Sequence, residues 1–135
     1  MDILSMLVSR TVESIPHDTV LQSAAGVMKN KKIGSLLVEK GGETVGIVSE
    51  TDIARRAVAE GLDPRTTAIE AIMSHPVITI GIDATPEMAN DLMKEKGIRH
   101  LAVTENGAIV GVVSVRDLLR YFKVYYDGIG SLRQK

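Results

Sequence analysis

Two serine–aspartate pairs are the residues of this 135-residue chain best placed to do chemistry: Ser49 with Asp52, and Ser114 with Asp117. Each pair ends an apolar run, GIVSETD or GVVSVRD, and opens a helical pattern. A serine N-cap with an acid three residues on is a capping box, which stabilises a helix start by about 1 kcal/mol and needs no ligand. Its place directly after a strand gives it a second use. There the helix N-terminus, with free N–H groups and partial positive charge, faces the open end of a sheet and favours phosphate. The aspartate beside it repels a bare phosphate. A ligand that uses both groups therefore carries phosphate at one end and neutral donors at the other, as a ribose 5′-phosphate does. Two sugar hydroxyls can donate to one carboxylate while the serine and backbone amides take phosphate oxygens.

The groups that catalysis needs are missing. The sequence has no cysteine, no histidine pair at metal-ligand spacing, no Walker-type glycine loop and no close carboxylate pair set for acid–base work, so no enzyme is expected. Met73, Met88 and Met93 fall on apolar helical faces and are expected to fill core rather than to hold a metal or cofactor. His17 and His75 are expected in loops.

The elements that position the two pairs come in duplicate. Residues 12–55 align without a gap with residues 77–120, matching Asp18 to Asp83, Met28 to Met93, Gly46 to Gly111 and Asp52 to Asp117. Each copy begins with a short alternating segment, VESI or VITI, that reads as a strand at the edge of a sheet. A helix follows, with Asp18 or Asp83 placed to cap it and Pro86 harmless in the first turn of the second copy. Val20, Ala24, Val27 and Met28 in one copy, and Met88, Ala89, Leu92 and Met93 in the other, form one buried helical face. Two apolar strands come next, joined at Gly41 and Gly42 or at Asn106 and Gly107, which are hairpin turns. The Ser-x-x-Asp then opens a second helix, expected to close at Gly61 or Gly128. A short helix over residues 68–73 precedes the second copy, and a matching piece at 3–8 precedes the first.

The class is thus α/β, or α+β, with two tandem β-α-β-β-α motifs: residues 1–62, residues 63–127, and a tail over 128–135 to which no pattern assigns a role. One copy alone buries too little apolar surface to be stable, so the two are expected to pack as one pseudo-symmetric module.

Charge and composition narrow the partners. Sixteen basic and seventeen acidic side chains nearly cancel, which gives little support to a polyanion-binding or basic membrane surface. With one Phe, three Tyr and no Trp, stacking platforms for single-stranded nucleic acid are nearly absent. No apolar stretch reaches the length of a membrane span, and MDILSMLVSR lacks a basic region followed by a long apolar run. The absence of cysteine fits a reducing compartment, and a cytoplasmic location is expected.

On these residues the chain resembles the cystathionine-β-synthase (CBS) domain family, whose motifs come in tandem pairs. The likeness rests on AIMSHPVITI with its weaker partner LVSRTVESI, on IGSLLV and IRHLAV, and above all on GIVSETD and GVVSVRD, which look like the family's Gly-h-h-Ser/Thr-x-x-Asp signature. Doubled at constant spacing, their order is far more specific than any one piece. The resemblance implies two motifs packed by their sheets with two clefts between them, many such pairs binding adenosine nucleotides there. It assigns ribose to Asp52 and Asp117, the phosphate side to Ser49 and Ser114, and backbone contacts with adenine to Ser14 and Ile15 in one copy and Thr79 and Ile80 in the other. Basic residues that reach phosphate in the family map onto Arg99, His100 and Arg116, where the first copy has Gly34, Ser35 and Thr51. The two clefts are therefore expected to differ in affinity.

The leading expectation is a stand-alone regulatory module for AMP, ADP or ATP, with S-adenosylmethionine or NAD as other adenosine ligands. It would act on an unidentified protein target and form a homodimer through closing helices that carry Leu118, Leu119, Phe122 and Tyr125 or Tyr126. The alternatives are a structural assembly module with empty clefts and a weak nucleic-acid binder using Arg55, Arg56, Lys29, Lys31 and Lys32.

Overall fold

The structure, a computed structural model, describes Val8 and residues 13–133. The chain divides into an upstream compact unit that ends at Ile78 and a downstream unit of residues 79–133 that also takes in Val8.

The upstream unit runs β1 (Ser14–Pro16), α1 (Leu21–Lys31), β2 (Ser35–Lys40), β3 (Glu43–Ser49) and α2 (Glu50–Asp52). The last of these continues over Ile53–Val58 as a wider π-helical coil, with Ala59 N–H bonding Ala54 at 3.0 Å. β2 lies at the centre of the sheet, parallel to β1 and antiparallel to β3. The β2–β3 turn is the expected two-residue hairpin: Gly41 and Gly42 take φ of 60° and 82°, which suits a type I′ turn whose twist matches the strands.

Helix α1 buries Leu21, Ala24 and Met28 against Ile15, Leu36, Val38 and Val48 of the sheet, in a core completed by Ala57, Ile69 and Ile72. Each fully buried aliphatic side chain of this kind contributes about 1.5–3 kcal/mol. The start of α1 differs from the expectation that Asp18 caps it. Val20 is the N-cap and lends no side chain. Instead the carbonyls of Thr67 and Pro64 accept from the N–H groups of Leu21 and Gln22, both at 2.9 Å, so backbone from the joining segment does the work of a capping side chain.

The rest of the joining segment follows the sheet edge. A 3₁₀ turn over Ile69–Ala71 stands where a short helix over 68–73 was expected, and Ile47 exchanges backbone bonds with Ser74 at 3.0 and 2.9 Å. Gly46 makes that approach feasible, since a Cβ there would meet the Met73 thioether and come within 3.0 Å of the Ser74 carbonyl. The matching short helix expected at 3–8 falls outside the described residues except for Val8.

The downstream unit repeats the order with β4 (Thr79–Gly81), α3 (Pro86–Lys96), β5 (His100–Glu105), β6 (Ala108–Ser114) and α4 (Val115–Arg133). Its sheet has the same topology, and Asn106 and Gly107 turn the hairpin with φ of 53° and 80°.

Three expectations are corrected here. Thr85, not Asp83, caps α3, its hydroxyl accepting from Met88 N–H at 3.1 Å with Pro86 in the first turn. Met93 is buried, but Met88 is 57% exposed and fills no core: the covered face of α3 runs through Pro86, Ala89 and Met93 and leaves Met88 outside it. Helix α4 does not close at Gly128 but runs on to Arg133. A glycine inside a helix costs only about 1 kcal/mol and does not by itself stop one. Gly61 does follow the end of its helix, with φ of 71°. No helix among the described residues is long and apolar enough to cross a membrane.

Candidate functional site

Each unit brings its Ser-x-x-Asp to a corner where the last strand turns directly into a helix. Ser49 is still extended, with φ −122° and ψ 167°, so its side chain and amide both face the first helical turn. The Asp52 Oδ2 atom accepts from Ser49 N at 2.9 Å and from Ser49 Oγ at 3.1 Å, while Asp52 N donates to Ser49 Oγ at 3.2 Å. The downstream corner repeats this closely: Asp117 Oδ2 accepts from Ser114 N at 2.8 Å and Oγ at 2.9 Å, and Asp117 N returns a bond at 3.2 Å. Both capping boxes are therefore formed.

Much of the anion-binding capacity of these turns is used internally. The first helical amide of each, Glu50 or Val115, donates to the carbonyl of Gly34 at 3.0 Å or of Arg99 at 2.8 Å. With Ser49, Asp52, Ser114 and Asp117 amides also engaged, few donors are left for a phosphate. The serine hydroxyls already donate to their aspartates.

The downstream corner gathers the cations. His100 pairs across the sheet with Ser114, Arg99 precedes it and holds Val115 by its carbonyl, and Arg116 lies in the first turn of α4 beside Asp117. Arg99 and Arg116 are exposed, and His100 is half-buried. Among the described residues Asp117 makes no ion pair, and its hydrogen bonds are all with Ser114.

The upstream corner is different. The equivalent row pairs Ser35 with Ser49, and the Glu50 carboxylate lies 3.6 Å from where a Cβ on Gly34 would stand. Asp52, 14% exposed, has an ion pair through its other oxygen: Arg56 Nε lies 3.5 Å from Oδ1. Arg56 also donates to the Ile72 carbonyl at 3.3 Å. Arg56, named in the sequence only among the cations of the nucleic-acid alternative, stands four residues after Asp52, the spacing that signals a pair on one helix face.

The first strands divide their expected roles. Leu37 N–H bonds Glu13 and His17 N–H bonds Glu39, so the odd-numbered residues of β1 turn their backbone toward β2. By that alternation Ser14 presents its N–H and C=O to the outer edge, while Ile15 engages the ladder and buries its side chain. Ile82 N–H bonds Thr104 in the same register downstream, which places Thr79 at the outer edge and Ile80 in the ladder. Thr79 pairs with Ala102, two residues along β5 from His100.

Among the described residues no cluster of three or more His, Asp or Glu side chains could hold a metal ion.

Comparison with known proteins agrees with this duplicated plan. The sequence model of the CBS domain matches residues 2–59 and again 69–124. An uncharacterized protein of Methanopyrus kandleri is 36% identical over 107 residues, covering 78% of this chain and 54% of its own length. The chain thus spans about half of that relative. The CBS domain-containing protein YhcV of Bacillus subtilis is 31% identical, covering 79% of this chain and 76% of its own. Among solved structures, an uncharacterized conserved protein of Pyrococcus horikoshii superposes with TM-score 0.80 at 29% identity, over 90% of this chain and 94% of its own. The hexameric CBS-CP12 protein of bloom-forming cyanobacteria gives TM-score 0.79 at 31% identity, over 85% of this chain and 68% of its own.

Proposed function

The chain belongs to the CBS-domain family, and from that premise we propose that it is a regulatory module that binds an adenosine nucleotide, AMP, ADP or ATP, at its Ser-x-x-Asp corners. The observation that supports this most is the state of the two carboxylates. In each, Oδ2 already accepts two bonds from its serine, which fixes the group without using Oδ1. An oxygen with two lone pairs can accept from two neighbouring hydroxyls, so the ribose 2′- and 3′-hydroxyls converge on Oδ1 rather than bridging both oxygens. Ser14 and Thr79 offer edge backbone groups to adenine, and Arg99, His100 and Arg116 offer positive charge to phosphate.

The output of such a module is a shift between conformations or assembly states, sized by the ligand's differential affinity for them. A target protein responds to that shift. Leu119 and Val124 of α4 are 62% and 73% exposed, and a homodimer built on this helix covers them. The cyanobacterial relative is itself hexameric. Those exposed side chains also favour the second reading, an assembly module that binds no nucleotide.

Thermal unfolding with AMP, ADP, ATP, S-adenosylmethionine, NAD and a short oligonucleotide separates the readings. Nucleotide binding predicts stabilisation by the adenosine ligands, about 2.7 kcal/mol at a hundredfold excess over Kd. No shift with any ligand leaves the assembly reading, and a salt-sensitive oligonucleotide effect points to nucleic acid.

A further inference from the structure

The geometry points to Arg56 as a built-in competitor for the upstream site: its guanidinium holds the Asp52 oxygen that a ligand's hydroxyls need, and ligand entry releases it from the joining segment. This rests on the nucleotide reading of the Ser-x-x-Asp corners.

Three observations carry it. Asp52 Oδ2 is fully used by Ser49, so Oδ1 is the acceptor left, and Arg56 Nε lies 3.5 Å from it. The same side chain donates through its terminal nitrogen to the Ile72 carbonyl at 3.3 Å, so it spans from the carboxylate to the segment that follows the 3₁₀ turn. The downstream copy has Tyr121 at the equivalent position and no ion pair to Asp117 among the described residues. Glu50, beside Gly34, adds to the upstream bias against anions.

The two corners are thus built with unlike ground states. A ligand's diol meets no competing cation on Asp117 Oδ1 among the described residues but must displace a guanidinium at Asp52. The pair is half exposed on the arginine side, with 54% of that side chain accessible, so the handicap is modest. Displacement has a second consequence, since Arg56 leaving Asp52 also changes its bond to Ile72.

The test is a titration of ¹⁵N-labelled full chain with AMP, following the amides of Asp52 and Asp117 as separate site reporters and Met73 as reporter of the preceding Ile72 carbonyl. Wild type is compared with Arg56→Gln and Arg56→Lys. The expected result is a site at Asp52 that tightens roughly two- to fivefold in Arg56→Gln, the scale of an exposed ion pair, with Asp117 unchanged. Met73 is expected to shift with AMP in wild type and not in Arg56→Gln, whereas Arg56→Lys stays near wild-type affinity. Unchanged or weaker affinity at Asp52 in a folded Arg56→Gln chain overturns the inference, weaker binding making Arg56 a ligand contact instead. Absence of AMP binding at both corners in all three chains overturns the nucleotide reading itself, and the inference with it.

Discussion

Asp117 Oδ2 accepts hydrogen bonds from both the amide and the hydroxyl of Ser114, at 2.8 and 2.9 Å, and Asp52 stands in the same relation to Ser49 at 2.9 and 3.1 Å. Two residues make three bonds within one turn. The pair therefore acts as a unit that fixes the carboxylate while starting the helix, and because Oδ2 takes both serine bonds, the proposed binding role falls to Oδ1.

That coupling predicts non-additive stability effects. Ser114→Ala and Asp117→Ala are each expected to lower stability by about 1 kcal/mol, with the double replacement well short of the sum. Urea unfolding of the four chains gives the coupling energy. A sum within a few tenths of a kcal/mol would mean that the box contributes nothing as a unit.

The repeat contains its own control on helix termination. Lys32 and Gly97 occupy equivalent C-cap positions, both left-handed, with φ of 57° and 66°. A side chain in that region is strained by about 1 kcal/mol, so Lys32→Gly is expected to stabilise by about 0.5–1 kcal/mol and Gly97→Lys to destabilise similarly. Thermal or urea melts of the two variants check the opposite signs.

Gly46 is set by contact rather than by turn geometry. Gly46→Ala is expected to destabilise by about 1–3 kcal/mol, as overpacking does. Adding Met73→Ala relieves the thioether but not the Ser74 carbonyl at 3.0 Å, so denaturant melts of the double variant are expected to show partial recovery only.

Charge on the downstream corner predicts the response to salt. Replacing Arg99, His100 and Arg116 together by Gln, Asn and Gln is expected to weaken AMP binding about tenfold or more and to flatten its dependence on ionic strength. Calorimetry at two salt concentrations measures both effects. Unchanged affinity and slope would remove these three residues from the site.

Much of the architecture was legible because its signals are local. The hairpins at Gly41–Gly42 and Asn106–Gly107 and the two capping boxes depend on residues within a few positions of one another, and all formed as the spacing predicts. The start of α1 was not legible in that way, since its leading amides are satisfied by carbonyls of Pro64 and Thr67, some forty residues on, and Asp18 was only the nearest acid. Helical periodicity misplaced Met88 because it marks a face without saying how much of that face the sheet covers. Arg56 was visible as a spacing to Asp52, but its second contact with Ile72 exists only once the joining segment is folded back.

The most direct test of the central claim is calorimetric titration of AMP into the native chain and into the Asp52→Asn, Asp117→Asn double variant. Measurable binding by the native chain that falls at least tenfold in the variant is the predicted result, the scale of hydrogen bonds to a charged acceptor. Affinity that survives both replacements would contradict it.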